Sequence, residues 1–277
     1  MSAKLPVSVA IIANNEADRI EMTLKSVSHF ASQIVVIDSG STDGTQDLCR
    51  SYGAEVYEES WKGFAGQKNS LTDKCSCEWI LYLDADEVIT EKLHREIETA
   101  ITRNDVAGFS INRKTFYLGR LLEHAWQKNY RLRLVKKSAN PLWRGEIVHE
   151  ELVIDGICEN LKEHLVHYSY RDIRDHFIRT IKYARLSAYS YKKRGRRPSL
   201  VKLLVNPIFS FIKLYIIKFG FLDGIAGLVA GVSAYIYTFL KYAFLYEFYL
   251  ADTKKISAVE DCPEGVAGAK STEKTEP

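Results

Sequence analysis

Cysteine, methionine and proline are scarce: five, two and six in 277 residues. Cys49, Cys75, Cys77, Cys158 and Cys262 are odd in number and scattered. That excludes a secreted disulfide scaffold and fits a reducing compartment. The C-x-C of Cys75 and Cys77 has no second Cys/His pair to complete a zinc site. Net charge is only +3, too small to imply a partner by itself. The charge-free stretch 225–240 stops short of the roughly 20 apolar residues a spanning helix needs. The first apolar segment, VSVAII at 7–12, runs into ANNEAD instead of a small-residue cleavage site, so no cleaved leader is expected. Neither G-x-G-x-x-G nor a P-loop is present, which sets aside dinucleotide oxidoreductases and P-loop NTPases. HEELV at 149–153 has Val153 where a zinc protease needs its second histidine.

Hydrophobic content of 46% and charged content of 26% describe a folded protein. VSVAII (7–12), QIVVID (33–38), AEVYE (54–58) and WILYL (79–83) read as strands. Between them, Ile20, Leu24, Val27 and Phe30 share one helical face, and further helices are expected after Gly44 and over 64–73. Thr90 caps a helix carrying Leu93, Ile97 and Ile101. This alternation predicts an α/β fold, a mainly parallel sheet flanked by helices. Ligands of such sheets bind beyond the carboxyl ends of the strands. The polar clusters Asn14–Glu16, Asp38–Asp43 and Asp84–Glu87 follow three of those ends. Beyond 106 the rhythm breaks: AGFSIN and YRLRLVK are strand-like and predict a second wall over the crevice.

WILYLDADEV drives an apolar strand into three acids, Asp84, Asp86 and Glu87. Carboxylates this dense need a cation nearby. If strand alternation continues, Asp84 and Asp86 aim at one point and suit Mg²⁺ or Mn²⁺, which complete their shells with substrate phosphates. In VVIDSGSTDGT, Asp38 ends a strand where it can accept from a ribose or base, and Thr42 or Asp43 can cap the next helix. Arg131 and Arg133 would share a strand face, open to phosphate or to surface ion pairs.

VSVAIIANNEADRI, VVIDSGSTDGT, GFAGQKNSL and WILYLDADEVIT, in this order and spacing, resemble glycosyltransferase family 2 with its GT-A (Rossmann-like) fold. GEIVHEEL, HLVHYSYRDI and FGFLDGIAGL resemble, within it, the lipopolysaccharide inner-core β-1,4-glucosyltransferases. The resemblance implies an inverting transfer of a hexose, glucose first, from a UDP-sugar to a lipid-linked glycan acceptor, with Mg²⁺ or Mn²⁺. It implies donor contacts from Asn15, Glu16, Asp38, Ser39, Asp43, Lys68, Asn69, Asp84 and Ala85. It implies metal ligands in Asp86, Asp84 and His167, with His164 as the other late histidine. Glu150 or Glu151 of the His149–Glu150–Glu151 motif would be the base, with Glu146 next in line. It also divides the chain: a catalytic domain over 1–170, with a nucleotide-sugar half to about 105 and an acceptor half over 106–170, a helical membrane-associated region over 171–250, and a disordered tail over 251–277.

Between Arg171 and Arg197, ten Lys and Arg face only Asp172 and Asp175. A helix is expected here, with Ile173, Phe177, Ile181, Ala184, Ala188 and Tyr191 along it. The basic block KKRGRR precedes apolar segments rich in tyrosine. Together they predict amphipathic helices lying on an anionic membrane surface, on the cytoplasmic face of the inner membrane. No recognition motif or aromatic–basic platform supports a nucleic-acid partner. Two rivals remain. LDADEV also fits the D-x-D-x-[TV] of haloacid dehalogenase phosphatases, with Asp84 as nucleophile, although no downstream acidic pair follows. A membrane-tethered nucleotide-binding module without catalysis is the other.

Overall fold

The structure is a computed structural model, and it describes residues 4–126, 129–145 and 150–254. These fall into two units, one drawn from 4–113 and 130–167, the other from 114–129 and 168–254. Residues 114–129, expected in the acceptor half, therefore group with the helices.

The first unit opens with β1 (Leu5–Ala13), α1 (Ile20–Val27), β2 (Ala31–Asp38), α2 (Thr45–Ser51), β3 (Glu55–Glu58) and α3 (Gly63–Lys74). It continues through β4 (Trp79–Asp84), β5 (Glu87–Ile89), α4 (Glu91–Ala100) and the strand β6 (Gly108–Tyr117); the far end of β6 and β7 (Arg120–Leu121), which pairs with it, are grouped in the second unit. Then come β8 (Tyr130–Lys136), β9 (Leu142–Arg144), β10 (Glu151–Val153) and β11 (Cys158–His167). The main sheet runs β3-β2-β1-β4-β8-β6-β11-β5. β1, β2, β3 and β4 pair in parallel, and β8 turns the sheet antiparallel. β9 and β10 form a separate antiparallel pair.

The parallel strands β1, β2 and β4 are largely apolar because both faces are covered, whereas the edge strand β3, EVYE, is mostly exposed. Val7, Val9, Ile11, Leu81 and Leu83 enter one core with Leu24, Leu93 and Ile97. Ala10, Val35, Ile37, Ile80 and Tyr82 enter the other with Leu71 and Trp143. Thr90 caps α4 as expected, accepting from Leu93 N. Gly44, at φ 87°, and not Thr42 or Asp43, holds the N-cap position of α2, while Asp43 accepts from Thr45 N in the first turn at 3.0 Å. The four cysteines among the described residues are unpaired.

In the second unit α5 (Ile173–Lys193), α6 (Leu200–Ile212) and α7 (Gly224–Lys254) pack together, with a π-helical segment at Lys213–Ile217 extending α6. α7 continues four residues past the expected end at 250, and residues 255–277 lie outside the described residues. α5 forms where a helix was expected. It buries His176, Thr180, Ala184 and Ala188, while Ile173 and Ile181 are exposed. Small side chains permit close helix packing, and Thr180 bonds Ser233 of α7 at 3.1 Å. The buried Asp223 carboxylate accepts from the N–H groups of Glu123, His124 and Ala125 at 3.0, 3.0 and 2.7 Å. Burial opposes its charge, yet those bonds hold its carboxyl below the usual range.

Candidate active site

Three loops follow the carboxyl ends of β1, β2 and β4. The first two are laced together. Asn15, at φ 54°, donates its N–H to Ser41 Oγ at 2.8 Å and accepts from Thr42 N at 2.9 Å. Glu16 N donates to Thr45 Oγ1 at 2.9 Å, and Ala17 N to Asp43 Oδ2 at 3.1 Å. Asp43 also accepts from Thr45 N and Oγ1. Burial works against its charge, but these bonds hold its carboxyl below the usual range. Asp38 is fully buried and turned into its own loop. It accepts from Gly40 N, Ser41 N and Gln46 Nε2, and from the Ser41 hydroxyl. These bonds shape the loop. Ser39 Oγ accepts from Gln67 Nε2 at 2.9 Å.

The third loop answers the charge puzzle differently from the expected alternation. β4 ends at Asp84, and the chain turns before Asp86, so the two carboxylates meet different partners. Asp84 accepts from Arg133 at 2.8 Å, Lys68 at 3.2 Å and Arg113 at 3.3 Å. Burial alone would raise its pKa; Arg133, Lys68 and Arg113 hold it well below the usual range. Glu87, wholly buried, accepts from Arg133 at 2.7 Å, from Arg113 at 3.1 Å and from Asp84 N at 2.9 Å. Ala85 sits in the hydrophobic core, and its carbonyl is taken by Thr23 Oγ1 at 2.9 Å.

Arg133 reaches this cluster because of a bulge. Phe109 pairs with Leu134 and Ser110 with Leu132, leaving Arg133 as the extra residue on β8. A bulge re-aims side chains. Arg133 is 3% exposed while Arg131 faces solvent, so neither the shared face nor a surface ion pair holds for Arg133. Gln67 Oε1, Arg113 Nε and Arg133 Nε are buried with no hydrogen-bond partner among the described residues.

Asp86 lies on the other side of the turn. His167 Nε2 is 3.4 Å from Asp86 Oδ1, and Arg19 Nη1 is 3.2 Å from Oδ2. Against the cost of burial, His167 and Arg19 lower the Asp86 pKa. β11 delivers His167 by pairing it opposite Glu87. His164 is on the other face of the same strand, with its carbonyl accepting from Thr90 Oγ1. Arg19 also grips Glu16, with Nε at 2.9 Å. Arg19 and Arg113 are site residues that the motifs did not flag. Glu16 and Arg19, three apart at a helix start, read as a surface pair.

Lys68 is 4% exposed and stands 4.4 Å over the Trp143 ring. Its ammonium is 3.2 Å from Asp84 and 3.5 Å from Glu150 Oε1. One buried cation thus joins the strand-end acid to a carboxylate from a segment 66 residues later. Glu151 instead belongs to β10, exposed and paired opposite Arg144. Glu146 and His149 lie outside the described residues. Asn69 does not line the crevice with its amide. It donates to Trp143 O at 3.0 Å and accepts from Trp143 N at 2.8 Å, pinning β9 to α3.

Comparison with known proteins follows from this geometry. The family model described as glycosyl transferase family 2 matches residues 8–150. The lipopolysaccharide core biosynthesis glycosyltransferase LpsC of Rhizobium meliloti is 29% identical over 255 residues, 89% of this chain and 94% of its own. An uncharacterized glycosyltransferase of Rickettsia bellii is 29% identical over 262 residues, 88% of this chain and 87% of its own. Among solved structures, the mannosyltransferase PcManGT of Pyrobaculum calidifontis, in complex with GDP-Man and Mn²⁺, has a TM-score of 0.52 at 15% identity. That match covers 92% of this chain and 89% of the mannosyltransferase.

Proposed function

The chain belongs to glycosyl transferase family 2 and has the GT-A fold, and on that premise we propose an inverting hexosyltransferase. It moves a hexose, glucose before other sugars, from a UDP-sugar to a lipid-linked glycan of the lipopolysaccharide core. The name of the Rhizobium relative, similar along nearly the whole chain, supports that acceptor class. Family membership removes the phosphatase reading of LDADEV. The observation that carries the proposal is Lys68, whose ammonium bridges Asp84 and Glu150.

In this reading Glu150 is the general base. It takes the proton of the acceptor hydroxyl as that oxygen bonds to the anomeric carbon and the bond to UDP breaks. Such a base contributes about 10² to 10⁴-fold. Lys68 orients Glu150, and Asn69 holds Trp143 and β9 beside it. Asp84 is a fixed anion that anchors Lys68, and the loop built by Asn15, Glu16, Asp38, Ser39 and Asp43 forms the nucleotide cradle.

Mg²⁺ or Mn²⁺ fits one place here. Asp86 and His167 offer a hard oxygen and an imidazole 3.4 Å apart. Among the described residues no group of three ligands exists. Such a pair suits an ion that takes its other ligands from a diphosphate. When bound, the ion neutralises charge on the departing diphosphate. The mannosyltransferase solved with Mn²⁺ supports the assignment.

The helical unit supports residence on the membrane as a peripheral protein, on the cytoplasmic face of the inner membrane. Leu200–Ile217 and Gly220–Asp252 are long and apolar enough to cross by length and composition. The side chains of α6 favour lying flat. Asn206 bonds Tyr242 and Ser210 bonds Thr238 on the packed side. Val201, Val205, Ile208, Phe209 and Ile212 face outward, each at least 40% exposed. Lys202 and Lys213, about three turns apart, border this stripe, where lysines snorkel to the water.

Glu150→Gln tests the chemistry. It keeps UDP-sugar binding and loses transfer by about 10²-fold or more, while Glu151→Gln stays within about threefold of the parent. Mass spectrometry with a panel of UDP- and GDP-sugars reads both variants and the donor. Full activity in Glu150→Gln refutes the assignment.

A further inference from the structure

We propose that a basic recess in the helical unit binds the phosphate of an anionic lipid headgroup. Tyr191 from α5, Arg196 and Arg197 from the following turn, Lys202 from α6, and Tyr242 and Leu245 from α7 line a recess of about 180 Å³. At roughly 30 Å³ per water, that holds several waters or a phosphate group. No acid lines it. Among the described residues none of Arg196, Arg197 or Lys202 forms an ion pair, whereas nearby Lys192 is neutralised by Asp252 at 2.8 Å. Lys241 adds a fourth positive charge, with its ammonium 4.9 Å from the Tyr191 ring and 5.1 Å from the Tyr242 ring.

The recess is also built. Arg196 lies 4.6 Å over the Tyr191 ring, and its N–H donates to Tyr191 O at 3.0 Å. Asn206 fixes the Tyr242 hydroxyl at 2.9 Å. Lys202 stands in the first turn of α6, which has no acid there. A cation at a helix N-terminus is the unfavourable sign, and an external anion would reverse that penalty. Arginine forks match phosphate geometry bidentately.

The occupant is a lipid because of what adjoins the recess. Lys202 lines it, and the outward apolar stripe of α6 begins beside Lys202 at Leu200 and Val201, both 70% exposed. A phosphate in the recess therefore carries its acyl chains along that stripe. The inference rests on the membrane part of the proposed function and is independent of sugar transfer.

The test uses the full chain and dioctanoyl-phosphatidylglycerol below its micelle concentration, titrated by calorimetry. The triple variant Arg196→Ala/Arg197→Ala/Lys202→Ala should lose at least tenfold in affinity. The charge-matched control Lys193→Ala/Arg194→Ala/Lys218→Ala, outside the recess, should stay within about twofold. Arg196→Lys/Arg197→Lys keeps the charge but not the forks and should lose about fivefold, which guards against misfolding of the triple variant. Equal losses in recess and control variants, or none in either, overturn the site. Inorganic phosphate binding as tightly as the short-chain lipid overturns the lipid assignment. Flotation with vesicles of phosphatidylglycerol and phosphatidylcholine reads the membrane proposal separately: an absence of flotation with intact short-chain binding refutes that proposal and leaves the recess standing.

Discussion

Replacing Arg133 with methionine removes the cation that two carboxylates share. Arg133 donates to Asp84 at 2.8 Å and to Glu87 at 2.7 Å, and Glu87 has no exposed surface. Breaking a buried ion pair by removing one partner costs about 3–5 kcal/mol. Arg113 remains within 3.3 Å of Asp84 and 3.1 Å of Glu87 and offsets part of that. The expected cost is therefore about 3 kcal/mol, a fall in Tm of roughly 6–12 °C at 2–4 °C per kcal/mol. The pH dependence has a definite sign. The folded Asp84 pKa lies below its unfolded value, so its contribution is fully present above about pH 4 and is lost as pH falls toward the folded pKa. The gap between parent and variant is thus widest near pH 7 and shrinks below about pH 4. Thermal unfolding followed by circular dichroism across that range measures it. Arg133→Lys, which keeps charge without the fork, should fall about halfway. A Tm drop under about 2 °C, or a gap that widens as the solution is acidified, would refute the buried network.

His167→Ala should raise the Mn²⁺ concentration for half-maximal transfer by at least about tenfold, read by metal titration after chelation; an unchanged midpoint removes His167 from the metal site. Gly227→Ala should destabilise the helical unit by about 3 kcal/mol or more, since its Cβ would lie 1.8 Å from Gly220 O. Gly231→Ala, whose Cβ would meet the Phe211 ring at 3.1 Å and Tyr215 Cβ at 3.3 Å, should cost clearly less in the same urea melts. His176 is buried between Tyr117 at 2.7 Å and Ser233 at 2.8 Å, and burial pushes its pKa down to about 4. The unfolded chain takes up its proton first, so about 3 kcal/mol should be lost between roughly pH 6.5 and 4. His176→Gln should flatten that slope; a parallel slope in the variant refutes the assignment.

The parallel strands were legible because burial on both faces leaves continuous apolar runs, as in WILYL. α4 was legible because Thr90 announces its start. Side-chain destinations were less so. Arg133 was read by strand alternation, and a bulge cancels alternation where it occurs. Asp38 and Asn69 were recognised as polar residues that need partners, but residue type does not say whether the partner is ligand or backbone. Asp38 turned out to satisfy its own loop, and Asn69 the backbone of Trp143 on β9. α5 was legible as a helix but its buried face was not, because packing against α7 selects alanines and bonded hydroxyls. Lys68, Asp84 and Glu150 were all named from motifs, yet their meeting is a long-range fact that only the fold supplies.

The charge puzzle at the end of WILYLDADEV has two answers, and they divide the cluster. Asp84, Glu87 and Glu150 carry three formal negative charges, and Lys68, Arg113 and Arg133 carry three positive ones within hydrogen-bond or ion-pair distance. Those six charges pair among themselves. Across the turn, Arg19 pairs with both Glu16 and Asp86, and Asp86 also has the His167 imidazole 3.4 Å away. The aspartate inside the arginine cage builds the site, and the aspartate beside the histidine is the one on which the proposed metal site rests.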